Sequence, residues 1–229
     1  DDKAVAAAKA KAEDILKQLR SVKSSAEIER IRVACGIASE AFEDGAAELQ
    51  EGKGEAEIAS AFRRPLYAIK CDILNEHRAD GFVHCMSGPN SARAFGAYAR
   101  SRARTVRRGD LVLIHCNSYV DGFWTDVTRT YTLASPDDRQ AAMYDAVFEA
   151  RAAALAAIRP GVLALEVDRA ARGVMERRGF GAAFKHPTGH GVGFAAINHN
   201  ALPRLHPKSN DILEVGMVFN VEPAIYIEG

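Results

Sequence analysis

Two residues that could bind a metal ion occupy a segment with the pattern of a β-hairpin, HCNSYVDGFWTDVTRT, residues 115–130. His115 opens this segment, and Asp126 follows Phe123 and Trp124, so we expect its carboxylate to be buried. A buried carboxylate is unfavourable unless a cation or several hydrogen-bond donors face it. The segment therefore predicts either a metal site or a polar cluster whose members satisfy one another.

The same argument applies to an acidic residue near the end of the sequence. Glu222 lies within LEVGMVFNVEPAIYI, residues 213–227, which we interpret as a hydrophobic strand. In HPTGHGVGF, residues 186–194, His186 and His190 stand four residues apart among three glycines. Glycines favour a turn that brings the main chain close to a ligand, and imidazole and carboxylate are common ligands of divalent metals. Glycine-rich loops also hold ordinary structural histidines, so the pair alone does not establish a site.

The segments that carry these residues alternate with long helical patterns. Ser24 or Ser25 can cap the first helix, Pro65 marks a kink or break in the second, and Asp121-Gly122 is typical of a tight hairpin turn. The predicted helices span residues 24–50, 52–74, 138–158 and 165–178, and the intervening and final segments are predicted to be strand-rich. Helices followed by strands, twice over, indicate an α+β domain with two similar halves.

Composition restricts the classes of function. The 229 residues, 48% of them hydrophobic, suffice for one large or two small domains. Thirty basic residues balance thirty acidic ones, so we expect no nucleic-acid and no membrane partner. The arginine-rich residues 100–108 are interpreted as a solvated strand and turn, with an anion or partner contact as the alternative. Four cysteines without CxxC spacing fit reduced thiols, and the sequence has no apolar run long enough to span a bilayer. We therefore predict a cytoplasmic protein.

Five ordered motifs resemble one family of enzymes. DGFWTDVTRT, HPTGHGVGF and GMVFNVEPAIYI are similar to the signature blocks of the pita-bread metallopeptidases, which include Xaa-Pro aminopeptidases, Xaa-Pro dipeptidases, methionine aminopeptidases and creatinase. RSVKSSAEIERIRVACGIASEAF resembles the first helix of the Xaa-Pro peptidase branch, and SGPNSA resembles a loop before its first active-site strand. The resemblance implies the α+β pita-bread fold: two pseudo-symmetric helix-plus-strand halves around a central antiparallel sheet. Residues 1–229 would be one catalytic domain, in which residues 1–18 form a leading helix or linker.

The family site that this resemblance implies has five ligands, Asp, Asp, His, Glu and Glu. They hold two divalent ions, which activate a bridging water and polarise the scissile carbonyl. Matched by motif, Asp126 is the second Asp, His190 is the His and Glu222 is the first Glu. His115 stands eleven residues before Asp126, where the family has its first Asp, and we assign it as the fourth metal ligand. The alternative is a histidine that forms hydrogen bonds within an altered, empty pocket. The expected cofactor is Mn, Zn, Co or Fe, as one or two ions, or none in a truncated chain.

Two further histidines correspond to catalytic residues of the family. His186 and His199 match histidines that stabilise the oxyanion and transfer protons. The sequence also departs from the family: Phe95 stands where a substrate-binding histidine is expected, and Asn200 stands where a carboxylate commonly follows His199. The family's final hairpin and last ligand Glu would lie beyond Gly229, so we expect the C-terminal strands to be truncated.

Three functions fit this sequence. The first is a metal-dependent hydrolase that resembles Xaa-Pro aminopeptidases and dipeptidases, acts on a peptide or small-molecule substrate and forms a homodimer. The second is a catalytically silent binding module on the same fold. The third is a non-peptidase enzyme similar to creatinase. Retention of HPTGHGVGF and NVEP beside an altered leading ligand favours the first.

Overall fold

The computed structural model describes residues 2–68, 78–95 and 100–228, except for the side chains of residues 67 and 68. Helices and strands group along the chain in the predicted order. The helices are α1 (Asp2–Ser21), α2 (Ser25–Ala46), α3 (Glu55–Ala68), α4 (Asp138–Ala157) and α5 (Ala164–Arg177). The strands are β1 (Ala79–Ser87), β2 (Leu111–Val120), β3 (Phe123–Trp124), β4 (Val127–Thr132), β5 (Gly189–His190) and β6 (Arg204–Leu205). The α+β class is confirmed.

Strand β2 lies at the centre of the main sheet. It pairs antiparallel with β1 on one side and with β3 and β4 on the other. The register places His84 of β1 and Thr128 of β4 on either side of His115. Between β2 and β3, Asp121 and Gly122 both have positive φ, 49° and 87°, which is the conformation that a two-residue hairpin turn requires. The predicted hairpin is confirmed.

Local signals define the helix starts. The Ser24 side chain accepts from the Glu27 main-chain N–H, and the Glu27 carboxylate accepts from the Ser24 N–H, which completes a capping box on α2. Asp137 and Gln140 form the same arrangement on α4. Pro65 does not end α3, which continues to Ala68, although proline removes one helical hydrogen bond. The remainder of the second predicted helix, residues 69–74, lies outside the described residues.

Two hydrophobic clusters support the two halves. In the first, α2 and α3 pack on the sheet, with the Phe62 ring edge-on to Phe42 at a centroid distance of 5.8 Å. In the second, α4 presents Ala146, Ala150 and Ala154, all fully buried, towards α5. Because these alanines recur every fourth residue, they form a narrow stripe that lets the two helix axes approach closely. Each half thus supplies a rigid pair of helices behind the strands and loops.

The prediction of regular strands after Phe184 is largely wrong. Only the two-residue strands β5 and β6 and a few isolated bridges form there, and Glu222 lies in none of them. The main chain of residues 218–226 still bonds to residues 183–192. The Val192 N–H to Val218, the Asn220 N–H to His190 and the Glu222 N–H to Thr188 share one antiparallel register, but each bond lacks its reciprocal partner. The His190 N–H donates to the Asn220 side chain, and the Thr188 N–H donates to Leu205 and Asp168, so the paired bonds of a regular strand stay incomplete.

Candidate functional site

His115 faces the interior from the middle of β2. Its Nδ1 lies 3.0 Å from the Thr128 hydroxyl oxygen and 3.6 Å from Asp126 Oδ1. Its Nε2 is buried and has no hydrogen-bond partner among the described residues. His84, opposite on β1, stacks against the His115 ring with an interplanar angle of 9° but does not line the cavity described below. His115 therefore presents a buried nitrogen whose lone pair or proton is unused.

Asp126 lies between β3 and β4, just after two residues whose main-chain N–H groups form hydrogen bonds to other segments. Trp124 N–H donates to the Gly193 carbonyl and Thr125 N–H donates to the Ser118 carbonyl, which fixes the main chain on both sides of the hairpin. The Asp126 side chain is 3% exposed, and its Oδ1 is buried without a hydrogen-bond partner in the described structure. A buried carboxylate oxygen left unpaired is unfavourable, which indicates that a further positive group belongs at this position.

Main-chain bonds bring His190 and Glu222 together from separate segments. Asn220 donates its N–H to the His190 carbonyl, and its side-chain oxygen accepts from the His190 N–H. Glu222 N–H donates to the Thr188 carbonyl at 2.8 Å. As a result, His190 Nε2 lies 3.5 Å from Asp126 Oδ2 and 3.7 Å from Glu222 Oε1. His190 Nδ1 faces the Gly191 carbonyl at 3.0 Å and donates to it, so in the neutral ring the Nε2 lone pair points at the two carboxylates.

The carboxylates and imidazoles of this cluster perturb one another. Burial, and then the charge of Asp126, raise the pKa of Glu222 to about 8. Burial alone would lower the pKa of His190, but hydrogen bonds to Asp126 and the Gly191 carbonyl, together with Glu222, raise it overall. If both carboxylates were ionised, the single histidine would leave excess negative charge in a largely buried space, and the raised pKa of Glu222 reflects this. The cluster therefore favours a bound cation.

The two remaining histidines flank this cluster. His186 Nδ1 donates to the Pro187 carbonyl at 2.7 Å, so its Nε2 accepts from the Tyr226 hydroxyl at 3.1 Å. His199 packs edge-on against His190, with ring centroids 4.9 Å apart. Burial is the main cause that lowers the pKa of both His186 and His199, and the neighbouring imidazoles add to the effect. Both rings are therefore neutral at neutral pH.

One cavity of about 470 Å³ contains all of the predicted site residues. Its wall includes His115, Asp126, His186, His190, His199 and Glu222. Phe95 also lines it, and its ring lies 5.5 Å from that of Tyr226 and 4.6 Å from the Lys185 ammonium group. The sequence analysis did not identify Tyr226 or Lys185. Tyr226 follows Glu222 by four residues, and the two-residue alternation of an extended chain could have placed both on one face.

Cysteine chemistry is disfavoured in the described part of the chain. Cys35, Cys85 and Cys116 are free, as predicted for reduced thiols, and Cys71 lies outside the described residues. Burial raises the pKa of all three described thiols, to about 12 for Cys85 and Cys116. A thiol with a raised pKa is a poor nucleophile at neutral pH, and none of these three cysteines lines the cavity.

Comparison with known proteins identifies the family. The sequence profile of Metallopeptidase family M24 matches residues 29–229. The chain is a member of metallopeptidase family M24. Similar M24 proteins include a Pyrococcus furiosus Xaa-Pro dipeptidase, 36% identical over 95% of this chain and 59% of that protein. The chain thus spans about three-fifths of the length of that relative.

Solved structures support the same assignment. A prolidase from Pyrococcus furiosus matches with a TM-score of 0.82 and 34% identity, over 94% of this chain and 60% of that one. An X-Pro aminopeptidase from Thermotoga maritima matches with a TM-score of 0.84 and 29% identity, over 94% and 58%. This M24 chain has the α+β pita-bread fold of these proteins.

The M24 family implies a divalent metal cofactor, and the donors of the cluster fit one with a small adjustment. Within residues 2–68, 78–95 and 100–228, no three His, Cys, Asp or Glu side chains converge closely enough to enclose an ion. The donor pairs at His190 are 3.5 and 3.7 Å apart, whereas two ligands about 2.1 Å from a tetrahedral ion are about 3.4 Å apart. The unpartnered atoms of Asp126 and His115 are the kind of donors that an ion uses. The two gaps at His190 would close by a few tenths of an ångström around an ion.

The structure also bears on the membrane prediction. Of the helices that the structure describes, none is both long enough and apolar enough to cross a lipid bilayer.

Proposed function

We propose that this chain is the catalytic portion of a metal-dependent Xaa-Pro peptidase, and that His115, Asp126, His190 and Glu222 hold the metal. The observation that carries the proposal is that these four side chains, from separate segments, meet at one cavity and leave buried donor atoms without partners. The similarity to an Xaa-Pro dipeptidase supplies the substrate class, a peptide whose bond to proline is cleaved.

A divalent ion bound there would polarise the scissile carbonyl and lower the pKa of a water nucleophile. Neutral His199, beside His190, can donate its N–H to the oxyanion that forms on the substrate. Tyr226 donates to His186, so its own oxygen keeps a lone pair that can accept a hydrogen bond from a substrate amide. The aromatic and aliphatic residues of the wall, including Phe95 and Ile197, exclude water from the bound peptide.

His115 is the residue that sets this chain apart from the family pattern. It replaces an anionic, chelating ligand by a neutral nitrogen donor, so the proposed site carries one negative charge fewer than the family's. We therefore expect affinity for borderline metals such as Zn or Co to suffer less than affinity for Mn, which prefers oxygen ligands. Cytoplasmic location and homodimeric assembly stay predictions from the sequence.

Elemental analysis of the full-length protein, purified without chelator, tests the proposal, together with hydrolysis of Xaa-Pro dipeptides after addition of Mn, Co or Zn. We expect near-stoichiometric metal, cleavage before proline, and loss of both in Asp126→Asn. A His115→Ala variant should retain less metal than the wild type. A protein that binds none of the three metals and cleaves no dipeptide would contradict the proposal and select the binding-module alternative.

A further inference from the structure

Two carboxylates outside the metal cluster are completely buried. Glu55, in the first turn of α3, and Asp168, in α5, are both 0% exposed, and neither lines the cavity. Each lies on the second helix of its pair, Glu55 as the first residue of α3 and Asp168 as the fifth residue of α5. A buried charge is unfavourable unless hydrogen-bond donors or an opposite charge face it. The groups that bind these two carboxylates therefore indicate the role of each carboxylate.

The Glu55 carboxylate accepts hydrogen bonds from residues at both ends of the loop that follows β1. Its Oε1 accepts from the main-chain N–H and the hydroxyl of Ser87, each at 2.7 Å, at the end of β1. The Asn90 side-chain amide donates to both carboxylate oxygens at 3.0 and 2.9 Å. The Arg102 N–H, on the returning segment, donates to Oε2 at 2.7 Å. Every partner is a donor, which a carboxylate satisfies and a neutral amide cannot.

This network holds one side of the cavity. Met86 precedes Ser87, and the helical turn Gly88–Arg93 leads directly to Ala94 and Phe95. Met86, Ala94 and Phe95 all line the cavity, and we call them the first wall. Arg104 adds a further bond to the Ser87 hydroxyl at 2.6 Å. Glu55 therefore fixes the first wall without touching the space where a substrate would lie.

Asp168 makes an equivalent set of bonds in the second half. Its Oδ1 accepts from the Thr188 N–H at 3.0 Å and from the Thr188 hydroxyl at 2.9 Å. Arg172, one turn along α5, binds the same carboxylate through two nitrogens at 2.9 and 3.0 Å. Arg172 also donates to the main-chain carbonyl of His186 at 3.2 Å. The carboxylate and the arginine together fasten the residue 186–190 loop to α5.

Thr188 connects this network to the candidate metal ligands. Its carbonyl accepts the Glu222 N–H at 2.8 Å, and it precedes His190 by two residues. His190 and Glu222, which we call the second wall, therefore take their relative position from a residue that Asp168 holds by two bonds. A shift of Thr188 would change the separation between the His190 and Glu222 donor atoms.

We propose that Glu55 and Asp168 are positioning residues with separate tasks: Glu55 sets the affinity for the peptide through the first wall, and Asp168 sets the affinity for the metal through the second. This inference rests on the proposed function. Metal-site residues beyond the ligands typically change metal affinity by about 10- to 100-fold when mutated. Misplacing a substrate-positioning group by about 1 Å can reduce the rate by about 100-fold.

Glu55→Gln and Asp168→Asn in the full-length protein test the division of tasks. Each keeps the shape of the side chain but turns one acceptor oxygen into a donor that faces other donors. Glu57→Gln on α3 and Glu166→Gln on α5 are the matched controls, because each makes the same change two residues away at a side chain outside the cavity wall. Measurements are kcat and KM for an Xaa-Pro dipeptide, Mn²⁺ affinity by titration calorimetry, and the melting temperature.

We expect Glu55→Gln to raise KM about tenfold or more with Mn²⁺ affinity unchanged, and Asp168→Asn to weaken Mn²⁺ binding by about 10- to 100-fold. The controls should match the wild type in kcat, KM and Mn²⁺ affinity; any change in melting temperature would reflect the Glu57 bond to Gly54 or the Glu166 ion pair with Arg169. If a carboxamide variant does not fold, Ser87→Ala and Thr188→Val each remove one hydroxyl bond to the carboxylate. They should give smaller changes in the same two directions.

The outcomes separate this inference from the proposed function. An active, metal-binding wild type whose variants lower only the melting temperature would overturn the positioning roles and leave the proposed function standing. The same KM and Mn²⁺ changes in both variants would overturn the division of tasks. A wild type that binds none of Mn²⁺, Co²⁺ and Zn²⁺ and cleaves no dipeptide would overturn both proposals.

Discussion

A His115→Asp substitution would place a second carboxylate beside Asp126 in a buried space. In the wild type, His115 Nδ1 and Asp126 Oδ1 are 3.6 Å apart, and the side chains are 14% and 3% exposed. Two like unit charges about 4 Å apart repel by about 4 kcal/mol at an effective dielectric constant of about 20. One of the two carboxyls can instead take up a proton, which limits the loss of unfolding free energy. Raising its pKa from about 4 to about 7, where it begins to be protonated at neutral pH, corresponds to about 4 kcal/mol. We expect the ion-free variant to lose about 2 to 4 kcal/mol of unfolding free energy to this charge.

His115→Asn is the matched control, because asparagine has nearly the shape of aspartate and no charge. Urea unfolding of both variants in EDTA isolates the electrostatic part of the change from loss of the imidazole. In EDTA the aspartate variant should be the less stable of the two by about 2 to 4 kcal/mol. In excess Mn²⁺ the gap should close or reverse, because a cation between the carboxylates turns their repulsion into attraction.

Two results would refute this reasoning. Equal stability of the variants in EDTA would mean that residue 115 does not face Asp126 at short range. A gap that excess Mn²⁺, Co²⁺ and Zn²⁺ all leave unchanged would mean that none of these ions binds between the two positions, and the metal assignment of His115 would then be wrong.

Three further predictions concern the stability of the protein at Gly189, Lys23 and Ser24. Gly189→Ala should lose about 1 to 3 kcal/mol in urea unfolding, because the added Cβ would lie 2.1 Å from the Asn220 carbonyl oxygen; unchanged stability would disprove this close approach. Burial lowers the pKa of Lys23 from 10.5 to about 8, although Glu27 partly opposes this shift. Between these two values the unfolded chain binds more protons than the folded one, so the unfolding free energy should rise from pH 8 to pH 10.5. In Lys23→Met, unfolding free energies measured across this range should show a smaller rise. Ser24→Ala should lower the unfolding free energy by about 1 kcal/mol, since it removes the cap of α2, and a melting temperature equal to that of the wild type would contradict this.

The features that the sequence predicted well are those that depend on residues close together in the chain. The turn at Asp121-Gly122 needs two residues that tolerate positive φ, and the start of α2 needs a hydroxyl at Ser24, so the short-range pattern is sufficient. The convergence of Asp126, His190 and Glu222 was predicted from motifs, not from local physics, and the structure brings the three together. Their roles as metal ligands stay a proposal.

The features that sequence missed depend on contacts between distant segments. Glu55 and Ser87 are 32 residues apart, and His186 and Tyr226 are 40 apart, so no periodicity reveals either bond. Residues 213–227 have the composition of a strand, yet the Thr188 and His190 N–H groups opposite them donate to side chains and to Leu205, so the strand bonds stay incomplete. The composition predicts that this segment is buried, but it does not predict which segment its main chain bonds to.

The register of β2 has a consequence for engineering the protein. Position 115 lies on a central strand between two paired neighbours, His84 and Thr128, so its side-chain direction is set by main-chain hydrogen bonds and not by the residue itself. A library of the residues other than proline at this one codon would therefore present each side chain to the same cavity while the main-chain pairing of the sheet is kept. Since nitrogen, oxygen and sulfur donors prefer different metals, such a library offers a way to select the ion that the protein accepts.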